Sequence, residues 1–418
     1  MFRYAHAMHT NWKEAVSAVL AQLEAQKQLE KFAPDASRSQ LLGLVYMTEP
    51  FAEFSQNIVS TLRQSLSCPD WVGGISPGVC SADEEYYREP ALVVMLAQFP
   101  ASSVRIFSGS KPLPKLDTIT ASGRPALSSA LIHVDPQADQ VGELIEDLTI
   151  KMPKKEIYGG LMSHLEFNQV ANQVIGGGLS GVVFSDQVAI KTSLTLGVQV
   201  VGQSHQVTAV RGGMIDTLDH HSAFDVLFSD LSAFSTNYDT SEFNQIVHEY
   251  QQRFSNGLFA GVLSKKGNPL TTATNPGVFK FDPKPIVIKP ILGTDPVLRS
   301  IAIAGHFEVG DELVFCLRDE DSARLDLIRM CAQIREQFDS TEAISSGNSS
   351  SAQQTPKIKG GIYIGCRARG AGLFSQPGVE LRMVREQLGD VPLIGYFANG
   401  EVFQGRVYGY TGVLILFL

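Results

Sequence analysis

The chain has 418 residues, 44% of them hydrophobic and only 18% charged, against roughly 25% charged in an ordinary soluble protein. Its length suits two or three domains, and its 37 glycines point to a folded, sheet-rich and turn-rich chain. The net charge of −9, with 34 Lys and Arg in no basic cluster, gives no phosphate-backbone footprint and argues against a nucleic-acid partner. The apolar run Val413 to Leu418, like Ala91 to Ala97, is far below the roughly 18 residues that cross a bilayer, so it reads as a buried strand and no membrane insertion is expected. The first 25 residues carry no apolar h-region or small-residue cleavage site, so no secretory signal is expected. The five cysteines are scattered, with no C-x-x-C pair; neither a disulfide framework nor a zinc knuckle is encoded, and the cytoplasm is the expected compartment.

In chain order, residues 11–31 place Trp12, Ala15, Val16, Val19, Leu20 and Leu23 at helical spacing. LLGLVYMT (41–48) reads as a central strand, 51–66 as a helix with Phe54, Ile58, Val59 and Leu62 on one face, and WVGGIS and PALVVMLAQF as two more strands. Beyond a Ser, Pro and Gly-rich stretch, helices are expected near 139–151 and 161–173. VVFSDQVAIK and LTLGVQVVG then read as strands, with Ser185-Asp186 as a hairpin turn. A boundary is expected near 210–222. The second half predicts helices at 223–234 and 241–254, strands at GLFAGVLS, VFKF, PIVIK, SIAIAGHF and DELVFCLR, and a long helix at 322–338. The polar, Ser-rich stretch 340–359 reads as a mobile loop. The succession implies an α/β (α+β) chain of two related halves, 1–215 and 216–418, each a mixed sheet flanked by helices. An internal echo supports duplication: GLVYMT, a helix, WVGGISPG and LVVMLAQF against GIYIGC, a helix, LIGYFANG and GVLILFL, with similar spacing from Gly43 to Gly73 and from Gly361 to Gly395.

Most candidate motifs have structural readings. Gly176-Gly177-Gly178-Leu179-Ser180-Gly181 satisfies G-x-G-x-x-G, but a strand pattern follows it where a dinucleotide site needs a helix. It reads as a glycine turn. No phosphate-loop, zinc-protease or nucleophile-elbow motif occurs. Adjacent His220 and His221 point in different directions and lack a third ligand, so no metal or cofactor is expected. Asp319-Glu320-Asp321 sits where carboxylates favour a helix N-terminus. GGIYIGCRARGAGLFSQPGVELRM is the richest segment: a strand ending at Cys366, then Arg367, Arg369 and the glycines Gly370 and Gly372, then a helix starting near Pro377. A thiol so placed would be a soft nucleophile or ligand contact, and Arg369 could take a carboxylate or phosphate. Equally, Cys366 could be a small buried hydrophobe.

Cys366, Arg369 and Gly370, followed by a helix and by P-L-I-G-Y-F-A-N-G-E at 392–401, resemble the C-terminal signature of the FIST family of intracellular signal-transduction domains. LGVQVVGQSHQVTAVRGGMIDTLDHHSAFDVL resembles the family's junction between halves, and VGDELVFCLRDEDSARLDL its mid-C-domain block. Ala368 stands where the family commonly has glycine, and Asn399 where histidine or glycine is usual. The resemblance implies a cytoplasmic sensory protein, not an enzyme, that binds a small ligand such as an amino acid and signals to a separate protein. The ligand-binding set it implies is Arg318, Cys366, Arg369, Gly370, Tyr396, Asn399, Gly400 and Glu401. Glu401 would hold an ammonium group, and Arg369 or Arg318 a carboxylate. Two alternatives stay open: an enzyme with Cys366 as nucleophile and Glu401 or His205 as base, and a scaffold in which Arg369 and Glu401 pair to fix two loops.

Overall fold

The computed structural model describes residues 1–28, 39–82, 84–109, 127–152, 154, 156–234, 257–263, 286–345 and 357–418. They form two compact units, one of residues 1–195 and 327–418, the other of 196–326. The larger unit is built from one pattern used three times. The first copy runs β1 (Phe2–Met8), α1 (Trp12–Gln28), β2 (Ser39–Thr48), α2 (Ser55–Ser65), β3 (Asp70–Ser76), β4 (Gly78–Ser81), β5 (Glu84–Tyr87) and β6 (Ala91–Pro100). The second runs β7 (Val104–Phe107), β8 (Leu127–Val134), α3 (Val141–Lys151), β9 (Glu156–Leu161), β10 (Gln169–Ala171), β11 (Val174–Ile175) and β12 (Leu179–Ser185). The third opens with β13 (Ile190–Thr195) and is then interrupted by the smaller unit.

That smaller unit holds β14 (Gln199–Arg211), β15 (Met214–Leu218), β16 (His221–Ser222), α4 (Ala223–Phe234), β17 (Leu258–Leu263), β18 (Ile286–Asp295), β19 (Ser300–Ile303) and β20 (Glu312–Leu317). Its strands are antiparallel in the order β14-β20-β17-β18-β19-β15-β16, and β14 also pairs with β15, closing the sheet on itself. A second boundary between the units falls inside α5 (Glu320–Ser345). The third copy resumes with β21 (Gly360–Cys366), α6 (Val379–Leu388), β22 (Leu393–Ala398), β23 (Glu401–Phe403), β24 (Arg406–Tyr408) and β25 (Gly412–Phe417).

Each copy joins two parallel strands through a helix: β2 and β3, β8 and β9, β21 and β22. Each flanks its first parallel strand with an antiparallel one, β6, β12 or β25. The hairpin that follows each parallel pair leaves for another copy's sheet. β4 and β5 join β22, β10 and β11 join β3, and β23 and β24 join β9. Three six-stranded sheets of one design result: β1-β6-β2-β3-β10-β11, β7-β12-β8-β9-β23-β24 and β13-β25-β21-β22-β4-β5. Their inner faces share one core, with Leu44, Tyr46 and Met95 from the first, Leu131, Tyr158 and Val182 from the second, and Ile364, Tyr396 and Val413 from the third. On the outer faces, α1 and α2 cover the first sheet and α3 the second.

A glycine marks the same register in each parallel pair. Val45 faces Gly73, Ile132 faces Gly159, and Tyr363 faces Gly395. A Cβ there would lie 1.8, 1.9 and 2.0 Å from the facing carbonyl oxygen, respectively. Only glycine permits that approach.

The mixed sheets and flanking helices match the expected fold class. The echo read between 43–99 and 361–418 is present, and the copy at 104–185 extends it to three. The division expected near residue 215 falls within β15, whereas the compact units divide at 195/196 and 326/327. The expected helix at 161–173 is replaced by the end of β9 and by β10. Its helical spacing is coincidental: Met162 enters the shared core while Val170 packs toward α1 and α2, and β10 is held in register by β3. Ser185-Asp186 makes a turn but no hairpin, because β12 lies between β7 and β8 whereas β13 pairs with β25. Residues 340–345 of the Ser-rich stretch continue α5, and 346–356 lie outside the described residues, as do the helix at 241–254 and the strand VFKF.

Gly395→Ala should cost roughly 1–3 kcal/mol or more in urea unfolding, because backbone must give way. Gly372→Ala, with nothing within 4 Å of the added carbon, should cost far less. Equal costs would refute the close-approach argument.

Candidate functional site

The C-terminal ends of β21 and β22, the N-terminus of α6 and the incoming β4–β5 hairpin enclose a buried polar cluster. It starts where the sequence analysis placed it. β21 ends at Cys366, and Arg369 turns back on it, donating its backbone N–H to the Cys366 carbonyl at 2.8 Å. The Arg369 side chain is fully buried. Its Nε and Nη2 both donate to Glu380 Oε1, at 2.8 and 2.5 Å, and Nη1 donates to the Tyr410 carbonyl at 3.4 Å. Glu380, also fully buried, lies in the first turn of α6, where the helix amides favour a carboxylate. Tyr363 of β21 donates its hydroxyl to the same oxygen at 2.9 Å.

Two further carboxyls lie in this cluster. Glu401 of β23 is fully buried; its Oε2 accepts from the Thr411 N–H and hydroxyl at 3.1 and 2.7 Å, while Oε1 has no hydrogen bond of ordinary geometry among the described residues. Burial pushes the Glu401 carboxyl up to about 8, against the pull of Thr411, the Arg369 guanidinium and the Cys366 thiol. Glu85 of β5 is 8% exposed, and neither of its oxygens makes a hydrogen bond of ordinary geometry among the described residues. Burial, reinforced by the Glu380 charge, pushes it up to about 8, although the Gly378 and Ala371 amides and the Tyr87 hydroxyl favour its ionised form. Gly370 closes the cluster: it has φ 55°, and a Cβ there would meet the Tyr87 hydroxyl at 1.9 Å and Glu85 Oε2 at 2.9 Å.

Not all expected residues meet here. Cys366, Arg369, Gly370 and Glu401 belong to the cluster. Gly400 and Asn399 lie on its β22–β23 turn, where the Gly400 carbonyl accepts from Leu161 and the Asn399 side chain takes Arg367 Nη1 at 3.2 Å and donates to the Met162 carbonyl at 2.7 Å. Tyr396 points into the shared core, its ring 4.4 Å from that of Tyr46. Arg318 belongs to the smaller unit, where its guanidinium lies over the Phe259 ring at 5.9 Å. Arg369 forms its ion pair with Glu380 and also attracts the Glu401 carboxyl. His205 also belongs to the smaller unit, bridging Asp219 at 2.7 Å and Asp230 at 2.9 Å, which raises its pKa against the effect of burial. Each ring nitrogen of His205 is thus already committed. The sequence analysis missed Glu380, Glu85 and Thr411. Glu380 was legible as an acid two residues into a glycine-capped helix; Glu85 was not, since its sheet partner is Cys80 and that hairpin docks on a strand over 300 residues away.

The family profile described as FIST N domain matches residues 41–221, and that described as FIST C domain matches 247–404. The chain belongs to the FIST family. FIST domains are associated with sensory signal transduction. An uncharacterized protein of Mycobacterium tuberculosis is 23% identical over 377 residues, 87% of each chain. An uncharacterized protein of Mycobacterium bovis is 25% identical over 417 residues, 96% of this chain and 95% of its own. In this FIST protein, no group of three metal-ligating side chains occurs among the described residues, and none of their helices is long and apolar enough to cross a membrane.

The raised carboxyls fix a pH dependence. Below about 4.5 Glu401 and Glu85 are protonated in both folded and unfolded chains, and between about 4.5 and 8 only the folded chain keeps those protons. Stability should therefore fall as pH rises through that window. Thermal melts should drop by several degrees between pH 5.5 and 8.5, and Glu401→Gln, which stays neutral, should flatten the drop. An undiminished drop in both Glu401→Gln and Glu85→Gln would contradict the assignment.

Proposed function

We propose that this FIST protein is a small-molecule sensor, not an enzyme, whose ligand carries an ammonium group to Glu401 and Glu85 and whose bound state is read by a separate signalling protein in the cytoplasm. One observation carries the reading: two buried carboxyls, Glu401 beside Arg369 and Glu85 beside Glu380, adjoin a guanidinium already paired with Glu380, and their few donors do not offset the effect of burial. Burial disfavours the ionised form of both acids, and a cation that arrives with its own donors takes the place of the protons they hold, leaving the carboxylates paired. An amino acid or similar metabolite fits, its ammonium toward the two acids and its carboxylate toward Arg367, the more exposed arginine of the Cys366–Arg369 turn. Arg369, committed to Glu380, serves as the fixed charge that shapes the site.

The cysteine-enzyme alternative has one supporting contact, the Cys366 thiol beside Glu401. A carboxyl that keeps its proton at neutral pH is a poor base for that thiol.

The test is a thermal-shift screen of the full chain at pH 7 against amino acids, the matching amines and the matching carboxylic acids. At least one amino acid should raise the melting temperature, and ligand at 100 times its Kd adds about 2.7 kcal/mol. The response should require the ammonium group and should fall at least tenfold in apparent affinity in Glu401→Gln. A flat screen, or equal responses to the des-amino acids, would overturn the proposal.

A further inference from the structure

Apart from that site, the shared core of the larger unit contains a polar centre with one residue from each sheet. Tyr46 of β2, His133 of β8 and Tyr396 of β22 are all fully buried. The Tyr46 hydroxyl and His133 Nε2 are 3.0 Å apart, and the Tyr396 ring lies 4.4 Å from that of Tyr46 and 6.1 Å from that of His133. More polar groups sit on the same inner face of the second sheet. His133 faces Ser180 on β12 and Gly160 on β9, the next pair along sets Leu131 against Tyr158, and strand alternation puts Ser129 on that face too.

The Tyr158 hydroxyl and Ser129 pair with each other, which leaves three atoms here buried without a hydrogen-bond partner among the described residues: His133 Nδ1, the Tyr396 hydroxyl and Ser180 Oγ. Each orphaned group costs roughly 1–3 kcal/mol, and native interiors hold few of them. These three gather around His133, which Ser180 faces across the sheet and whose ring lies 6.1 Å from that of Tyr396. Gly160 keeps the approach to Tyr396 clear, since a Cβ there would lie 3.1 Å from the Tyr396 hydroxyl. The walls are electrically neutral: burial pushes His133 down to about 3 and raises the tyrosines, so all keep their uncharged forms. A charged guest would find no counter-charge among them.

We propose that Tyr46, His133, Tyr396 and Ser180 form a second binding chamber, which holds a small uncharged molecule with both hydrogen-bond donors and acceptors, of the amide or polyol type. The orphaned hydroxyls and imidazole supply both roles, and each of the three sheets contributes a wall. The chamber borders the ammonium site, since Glu401 interacts with Tyr396 and pairs with Gly160 across the sheet, but the two are told apart by their probes, uncharged for the chamber and bearing an ammonium group for the site.

The experiment uses the full chain with ring-labelled tyrosine, observed by NMR, together with mass spectrometry of an acid extract of the freshly purified protein. Either an uncharged compound co-purifies in equimolar amount, or acetamide and glycerol, used as probes, shift the Tyr46 and Tyr396 signals saturably and leave Tyr4 unmoved. Acetate and methylammonium should not. Ser180→Ala and Tyr396→Phe, which remove one hydroxyl each, should weaken that binding at least tenfold with the melting transition kept cooperative. No co-purified compound and no saturable response would mean that the centre holds ordered water only, and would overturn the proposal. So would binding unchanged in both variants.

Discussion

Each sheet of the larger unit is completed by a hairpin delivered from a different copy of the repeated pattern, and this exchange is the constraint on which the rest depends. β4–β5, β10–β11 and β23–β24 pass from the first copy to the third sheet, from the second to the first, and from the third to the second. The circuit closes. No copy can complete its own sheet, so the inner faces must converge on one core, and the ends of the parallel strands must meet a foreign hairpin. Many of the resulting pairings, such as Tyr396 with Val79, join residues far apart in sequence, a topology that slows folding but makes the result cooperative.

That constraint also decides where the chemistry sits. Ligand crevices in open α/β sheets form beyond the carboxyl ends of parallel strands, and three such ends exist here. In the first copy, Glu49 just beyond β2 accepts the Ser163 hydroxyl at 2.6 Å; in the second, Asp135 just beyond β8 accepts the N–H groups of Gln137 and Gly177, both at 2.9 Å. Those acids are satisfied within the fold. Beyond β21 the balance differs, because Arg369 is neutralised by Glu380 while Glu401 and Glu85 remain in excess. Breaking the Arg369–Glu380 pair would strand a buried charge at roughly 3–5 kcal/mol, so Arg369 is a poor probe of binding and the two excess acids are the better ones.

Legibility in the sequence followed the range of the interactions. Locally patterned elements were readable: α1, α3, α4 and the strands β2, β21, β22 and β25 lie within a few residues of where periodicity placed them. Strands without their own pattern were not. β4, β5, β10 and β11 are two to four residues long, too short for alternation to show, and exist because a remote sheet edge receives them. The third copy was hidden for the same reason, since Ala130 stands in β8 at the register of Gly43 and Gly361, so the glycine spacing that betrayed the other two is absent. The Cys366–Arg369 turn and Glu401 were legible by resemblance, but the partner of Arg369 required the fold.

The central claim is that Glu401 and Glu85 are buried acids that hold their protons at neutral pH, one guanidinium being already matched by Glu380. Its most direct measurement is a carboxyl carbon NMR titration of the full chain labelled at glutamate. Two resonances should titrate near 8, each missing from the corresponding glutamine variant, while exposed glutamates titrate near 4.3. If every glutamate titrates between about 4 and 5, the site holds no excess of buried acid and the account is wrong.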